Sequence, residues 1–247
     1  MANASNRETD FAADRFTAAG RARKYVNANS NVFGAGSSIP RRDLGYRLQL
    51  AAKRVIDIAA SMSALLVLLP VFVVLAALIR LDSPGPVFFR QVRWGQGGKK
   101  IRVFKFRSMR TDLGDPSGVA QTVKNDPRIT RIGATLRRTN LDELPQLINV
   151  LRGDMSLIGP RCHAVNMLAA GRLYEDLVPE YHRRHTMRPG ITGLAQMRGL
   201  RGPTDRADKA RARIACDIHY VDRFNLWLDM KILVGTVISE INGGTGF

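Results

Sequence analysis

The stretch Ile58–Ile79 reads IAASMSALLVLLPVFVVLAALI and contains no charged residue. A helix needs ~20 predominantly apolar residues to cross the hydrocarbon of a bilayer, so this run is long enough to enter a membrane. Pro70 sits near its middle, where the ring removes one backbone hydrogen bond and crowds the preceding turn, so a kink is expected. Lys53 and Arg54 precede the run, and Arg80, Arg90 and Arg93 follow it. The positive-inside bias therefore assigns both flanks to the cytoplasm. A re-entrant helix that enters, breaks at Pro70 and leaves by the same face satisfies both observations. A proline-kinked transmembrane helix is the other reading of the same local features. Asp57, one turn after Arg54, is expected to form an interfacial ion pair with it.

Upstream, residues 1–45 are polar and rich in Ala, Asn, Ser and Gly. They are expected to form a weakly ordered cytoplasmic tail, with at most a short helix near Phe11–Ala19. No apolar core follows a basic start, so the tail is not read as a secretory signal. Residues 46–80 then form the membrane-entering helix, and residues 81–247 a cytoplasmic domain on the membrane surface. A length of 247 residues suits one such domain with attachments.

The charge balance, Lys+Arg 38 against Asp+Glu 21, gives a formal +17 and excludes an ordinary near-neutral cytosolic globule. Thirty of these basic residues are arginine, the side chain whose planar fork grips phosphate. Nucleic acid, anionic lipid and a phosphorylated small molecule are thus the partner classes to separate. At 45% hydrophobic and a mean hydropathy of −0.12 the chain is neither polytopic nor wholly disordered. Cys162 and Cys216 are too few for a disulfide framework and too far apart for a zinc site, so a reducing, intracellular setting is expected.

Downstream of Arg80, Asp82-Ser83-Pro84-Gly85-Pro86 is a turn cluster. PVFFRQVRWG and KKIRVFKFRSM read as the two strands of a small hairpin. Asp112 to Asp126 reads as a loop. Its aspartates do not match an EF-hand, and turns explain them. Helical patterns run over about Thr130–Thr139, Leu144–Leu151, Ala164–Tyr181, Asp205–Tyr220 and Leu226–Ile241. The last two carry broad apolar faces suited to a membrane interface. The fold class expected is mixed α/β and mainly helical.

The segment LRRTNLDELPQLINVLRGDMSLIGPR, Leu136–Arg161, places Asp142 and Glu143 among Arg137, Arg138, Arg152 and Arg161. Pro145 favours a first helical turn, which makes Asp142 a natural N-cap and Glu143 a favourable charge at the helix start. Capping leaves chemistry open, because Arg137 and the helix end would keep Asp142 ionised, as a nucleophile or a metal ligand. Gly159-Pro160-Arg161 and Arg188-Pro189-Gly190 present arginines on rigid turns. Lys105 and Arg107 share one face of the second strand, a solvated face unless a ligand lies there. His182 and His185 are too surrounded by arginine to attract zinc.

Together, KRVIDIAASMSALLVLLP, FKFRSM, LRRTNLDELPQLINVLRGDMSLIGPR, RPGITGLAQ and DIHYVDRFNLWLDMKIL resemble, in order and spacing, the small monotopic phosphoglycosyl transferases among the bacterial sugar transferases. The likeness covers about Lys53–Thr236 and is greatest to the initiating hexose-1-phosphate transferases of exopolysaccharide and capsule synthesis. It implies a monotopic protein with a re-entrant helix broken at Pro70, although Leu69 stands where a serine is commoner. It implies an Asp142-Glu143 dyad in which Asp142 attacks the β-phosphorus of a UDP-sugar, expels UMP and holds the sugar phosphate. Polyprenyl (undecaprenyl) phosphate then takes that group. Glu143, with Asp142, is implied to hold Mg²⁺.

The same likeness carries phosphate contact to Arg137 and Arg161, and it places Asp217, Tyr220 and Asp229 near the site. Lys105 and Arg107 join the candidate substrate contacts. The family's Asn-Gly-Arg reads Arg198-Gly199-Leu200-Arg201 here, so its nucleotide-contacting arginine is either displaced to Arg201 or absent. Cys162 replaces a usual second proline. The expected location is the cytoplasmic face of the inner bacterial membrane, with anionic lipids as neighbours and homodimers known among relatives. The competing reading is a non-catalytic basic module that binds anionic lipid or nucleic acid. The absence of a nucleic-acid motif, with aromatics clustered near the membrane run, argues against a nucleic-acid partner.

Overall fold

A computed structural model of the chain describes residues 44–113, 122–123 and 125–241. The expected tail helix near Phe11–Ala19 and most of the Asp112–Asp126 loop lie outside them. The described residues open with helix α1, Leu44–Asp82, the one helix among them long and apolar enough to cross a membrane. Its helical assignment runs through Pro70, so the break expected there does not appear as an interruption of the helix. Its buried residues fall in two groups at four-residue spacing, Lys53, Asp57 and Ser61 in the first half and Leu75 and Ile79 near the end. Val55, Met62, Leu66, Val67, Leu69, Val73 and Val74 are among its exposed residues, an apolar surface left uncovered by the described residues.

Strands β1 (Phe88–Trp94) and β2 (Lys100–Phe106) form the expected antiparallel hairpin, with Phe88 opposite Phe106 and Trp94 opposite Lys100. Helices α2 (Arg131–Arg138) and α3 (Gln146–Arg152) follow close to the boundaries read from the sequence. Thr130 caps α2, its hydroxyl accepting from the Gly133 N–H. Gly153 ends α3 in the left-handed conformation at φ 88°.

Strand β3 (Ser156–Ile158) pairs in parallel with β6 (Gly190–Thr192), and this pairing joins the two proline turns. The backbones approach so closely that a Cβ on Gly159 would stand 2.5 Å from the Arg188 carbonyl oxygen, and one on Gly190 would overlap the Gly159 nitrogen. Glycine at both positions is a requirement of this contact.

The helix expected over Ala164–Tyr181 is not formed. Strands β4 (Leu168–Ala169) and β5 (Arg172–Leu173) make a tight ladder there, followed by the single-turn helix α4 (Tyr174–Leu177) and a 3-10 turn, Tyr181–Thr186. Asn166, Ala170 and Gly171 all have positive φ, which no continuous right-handed helix contains. A short helix α5 (Leu194–Met197) leads to α6 (Ala207–Arg223) and α7 (Leu226–Ile241), near the expected spans.

The main core gathers Ile158, Met187, Leu194, Tyr220, Phe224 and Ile232. A second cluster, Leu75, Ile79, Phe106 and Leu136, fixes the end of α1 against the hairpin and α2. The Arg54–Asp57 pair expected within α1 is replaced by longer-range contacts. Arg54 donates to the Val150 and Leu151 carbonyls at 2.6 and 3.0 Å, and Asp57 accepts from the Leu157 N–H at 3.0 Å. An arginine at the end of α3 satisfies carbonyls that the helix itself leaves open, a stronger use than an exposed ion pair.

Candidate active site

The acidic pair sits on a 3-10 turn, Leu141–Glu143, between α2 and α3. Asn140 enters it with φ 55° and ψ 14°, a left-handed conformation that Asn tolerates better than most residues. Leu141 and Leu144 pack toward Phe106 and Leu136, and Asp142 and Glu143 line a cavity of about 900 Å³. The capping expectation fails here: α3 begins only at Gln146, its N-cap is Pro145, and no side chain caps it. Asp142 is therefore buried without a helix end to serve.

Glu143 holds the cations. Arg161 grips both of its oxygens, at 2.5 and 3.2 Å, and Lys105 Nζ lies 2.7 Å from Oε1. Lys105 Nζ is also 3.7 Å from Asp142 Oδ2. Burial works against ionising Glu143, yet Arg161 and Lys105 hold its carboxyl well below the usual range. Burial pushes the Asp142 carboxyl up, opposed by Lys105 and reinforced by the neighbouring Glu143 charge. Two adjacent carboxyls thus differ in character, with Glu143 the fixed anion and Asp142 the more basic one.

Arg137 also lines the cavity, donating to Thr122 Oγ1 at 2.6 Å and approaching Ser108 Oγ at 3.5 Å. Its Nε is buried and has no hydrogen-bond partner among the described residues. A guanidinium held by hydroxyls beside a dyad keeps its charge uncompensated by a carboxylate, which suits an anionic ligand in the cavity.

Arg107 is placed differently from the sequence expectation. Its guanidinium edges the cavity but is taken up by the carbonyls of Ile79, Ser83 and Pro84 at 2.9, 2.5 and 2.9 Å. It closes the end of α1 onto the hairpin. Lys105 is the strand residue whose charge reaches the dyad.

Asp217 stands behind Arg161. It pairs with Arg184 at 2.8 Å, each of them almost wholly buried, and it accepts the Arg161 backbone N–H. Arg184 in turn donates to the Arg161 carbonyl. Burial pushes the Asp217 carboxyl up to about 6 against the pull of Arg184. This pair clamps the backbone on both sides of the arginine that grips Glu143, and Arg93 donates to the Cys162 carbonyl at 2.8 Å, fixing the turn where a second proline was expected. Asp217→Asn leaves the Arg184 guanidinium buried without its counter-charge, so a loss of about 3–5 kcal/mol is expected. Chemical denaturation of the detergent-solubilised variant measures it.

Tyr220 and Asp229 do not line the cavity. Tyr220 Oη donates to Asp229 Oδ1 at 2.7 Å, and Lys53 Nζ of α1 contacts Asp229 Oδ2 at 2.6 Å. Tyr220 also reaches the Ile158 carbonyl at 3.3 Å, so these residues tie α1, α6 and α7 to β3, one residue before the Gly-Pro-Arg turn. Arg188 is likewise turned away, donating to the Gly153 carbonyl at 3.0 Å.

Arg201 lines the cavity and is paired with Glu240, near the end of α7. Glu240, Asn140 and Arg184 carry structure around the site and were not legible locally, since their partners lie tens of residues away. Among the described residues no group of three or more His, Cys, Asp or Glu side chains forms a metal cluster.

A buried carboxyl beside a second carboxylate, ringed by lysine and arginine and standing under a long apolar helix, is equipment for phosphoryl chemistry at a membrane. Comparison with known proteins gives the family of the whole chain. The family model for the bacterial sugar transferases matches residues 48–243. An exopolysaccharide production protein of Rhizobium leguminosarum bv. phaseoli is 68% identical over 200 residues, covering 81% of this chain and 100% of the relative. A UDP-glucose:undecaprenyl-phosphate glucose-1-phosphate transferase of Caulobacter vibrioides is 46% identical over 204 residues, covering 83% of this chain and 73% of that protein. An Escherichia coli K12 transferase with the same name is 48% identical over 185 residues, covering 75% of this chain but 39% of that longer protein. The chain belongs to the bacterial sugar transferase family. It is a phosphoglycosyl transferase.

Proposed function

We propose that this enzyme transfers a hexose 1-phosphate from a UDP-sugar to polyprenyl phosphate, releasing UMP, as the first membrane step of exopolysaccharide synthesis. UDP-glucose is the proposed donor, since the Caulobacter and E. coli relatives are named for it. The observation that carries the reading is the division of labour within the dyad: Glu143 engages Lys105 and Arg161, and Asp142 faces the same cavity with a raised affinity for its proton.

In the first step an Asp142 carboxylate oxygen bonds to the β-phosphorus. The bond from that phosphorus to the bridging oxygen breaks, and UMP leaves with the bridging oxygen and the electron pair. In the second, a phosphate oxygen of the polyprenyl acceptor attacks the same phosphorus and the bond to Asp142 breaks, restoring the carboxylate. Arg137, Arg161 and Lys105 neutralise charge on the phosphoryl oxygens, where fixed donors contribute most.

Mg²⁺ takes oxygen ligands, with one or two carboxylates and substrate phosphates typical at such sites. Asp142 and Glu143 fit that donor set and would hold the ion, which would lower the charge of the diphosphate. Glu143 would then share its oxygens between the ion and the cations that now engage it.

We place the enzyme on the cytoplasmic face of the inner membrane, with residues 46–80 entering and leaving by one face. Both ends of α1 dock on the same domain. Lys53 and Arg54 reach Asp229 and α3, while the Ile79 carbonyl meets Arg107 and Asp82 accepts from the Ile132 N–H. A spanning helix would place such ends on opposite faces of the bilayer, where one surface domain could not engage both. On α7, Trp227, Met230, Val234, Val237 and Ile238 are exposed, which supports its lying in the interface beside anionic lipid. Incubating the solubilised protein with Mg²⁺, undecaprenyl phosphate and a panel of UDP-sugars tests the reading. UMP release with UDP-glucose is expected, and no UMP with any UDP-sugar would overturn it.

A further inference from the structure

The last turn of α7 reaches into the cavity from a part of the chain that supplies none of the residues assigned above. Glu240 accepts from Asn140 Nδ2 at 3.0 Å through Oε2, and its Oε1 pairs with Arg201. Asn140 is the left-handed residue that starts the dyad turn, and Arg201 lines the same cavity as Asp142. One turn earlier the Thr236 hydroxyl meets the Thr192 hydroxyl of β6 at 2.9 Å. A Cβ on Gly235 would stand 2.6 Å from Met197 Cγ, so a glycine is what lets α7 lie this close to α5. The helix end is thus seated at the site by three polar contacts from three different segments.

We infer that Glu240 is a positioning residue for the transfer: one oxygen holds Asn140 left-handed, so that Asp142 faces the donor phosphate, and the other fixes Arg201 at the cavity wall. The inference rests on the function proposed above. A non-glycine residue in the left-handed region is held there by its surroundings. The Asn140 amide tether supplies part of that hold, at a point two residues from the nucleophile. Glu240 touches no reacting atom in this role, and its effect passes through its two partners.

A double-mutant cycle separates this role from a merely structural one. Glu240→Ala and the isosteric Glu240→Gln are each combined with Asn140→Gly, because glycine adopts positive φ without a tether. UMP release at saturating and limiting UDP-glucose gives kcat and KM. Each Glu240 variant is expected to lower kcat about 10- to 100-fold in the Asn140 protein. In the Asn140→Gly background the same change should lower kcat less than about threefold. The Glu240→Ala rise in KM should likewise shrink when Arg201 is already alanine. Gln cannot accept with both terminal atoms, so Glu240→Gln keeps the side-chain volume while losing one contact, and guards against a folding artefact. Equal kcat losses in both backgrounds, or a lowered melting temperature with kcat and KM unchanged, would overturn the inference. Wild-type protein that releases no UMP would instead overturn the proposed function itself.

Discussion

Asp142→Asn is expected to remove UMP release down to background, a loss on the order of 10⁴-fold, with the fold intact. The substitution keeps the shape of the side chain and deletes only its capacity to form a bond to phosphorus. Because burial already raises the Asp142 carboxyl, the neutral amide suits that position at least as well as the acid. Stability measured by thermal denaturation should therefore stay level or rise while turnover vanishes. The same burial sets the pH dependence. The nucleophile is the ionised form, and its raised pKa means that activity is complete above that value and lost as pH falls through it. The acid limb of the kcat/KM profile should accordingly lie above the ordinary range of aspartate.

Arg161→Ala should lower kcat/KM by about 10²–10³-fold, because it removes a fixed donor at the transferred phosphoryl group. It also releases both oxygens of Glu143 from their two-pronged contact. With Arg161 gone, one of the two cations that hold Glu143 ionised is lost, and both carboxyls of the dyad move up. The acid limb of the profile should shift to higher pH, the same direction as the loss of any positive charge near a carboxylate. Arg161→Lys restores the charge without the planar fork, so it should recover part of the pH shift and little of the rate. Steady-state UMP release across pH measures both effects.

Much of this site was readable in the linear sequence. The hairpin strands showed in the alternation around Phe104 and Phe106, and the acidic pair showed as two carboxylates among arginines. The two proline turns were legible as turns, although nothing in either indicated that β3 and β6 would bring them into backbone contact. Where reading failed, the causes are physical. Asp142 resembled a helix cap because Pro145 follows at the right distance, but a 3-10 turn intervenes and leaves the carboxyl facing the cavity. Ala164–Tyr181 carries helix-compatible residues, and left-handed Asn166, Ala170 and Gly171 override them. Arg107 looked like Lys105, one pleat away on the same strand face. Its partners are carbonyls at the end of α1, which only the folded chain brings near. Asp217 and Asp229, both carried near the site by family likeness, are placed differently: the first lines the cavity while it pairs with Arg184 behind Arg161, and the second sits at the root of the membrane helix.

The arrangement also shows how a strongly basic chain uses its acids around the site. Glu143, Asp217, Asp229 and Glu240 each engage a cation that would otherwise repel its neighbours, at Arg161, Arg184, Lys53 and Arg201 respectively. Arg137, by contrast, lines the cavity with hydroxyl partners, Thr122 and Ser108, in place of a carboxylate.

The central claim is a covalent link between Asp142 and the sugar phosphate. Intact-protein mass spectrometry after brief mixing with UDP-glucose and Mg²⁺, without polyprenyl phosphate, tests it most directly. A hexose-phosphate adduct that maps to Asp142, forms with stoichiometric UMP and disappears when undecaprenyl phosphate is added is the predicted result. UMP formed only when the acceptor is present, with no adduct at any time, would contradict the account and point to direct transfer between the two substrates.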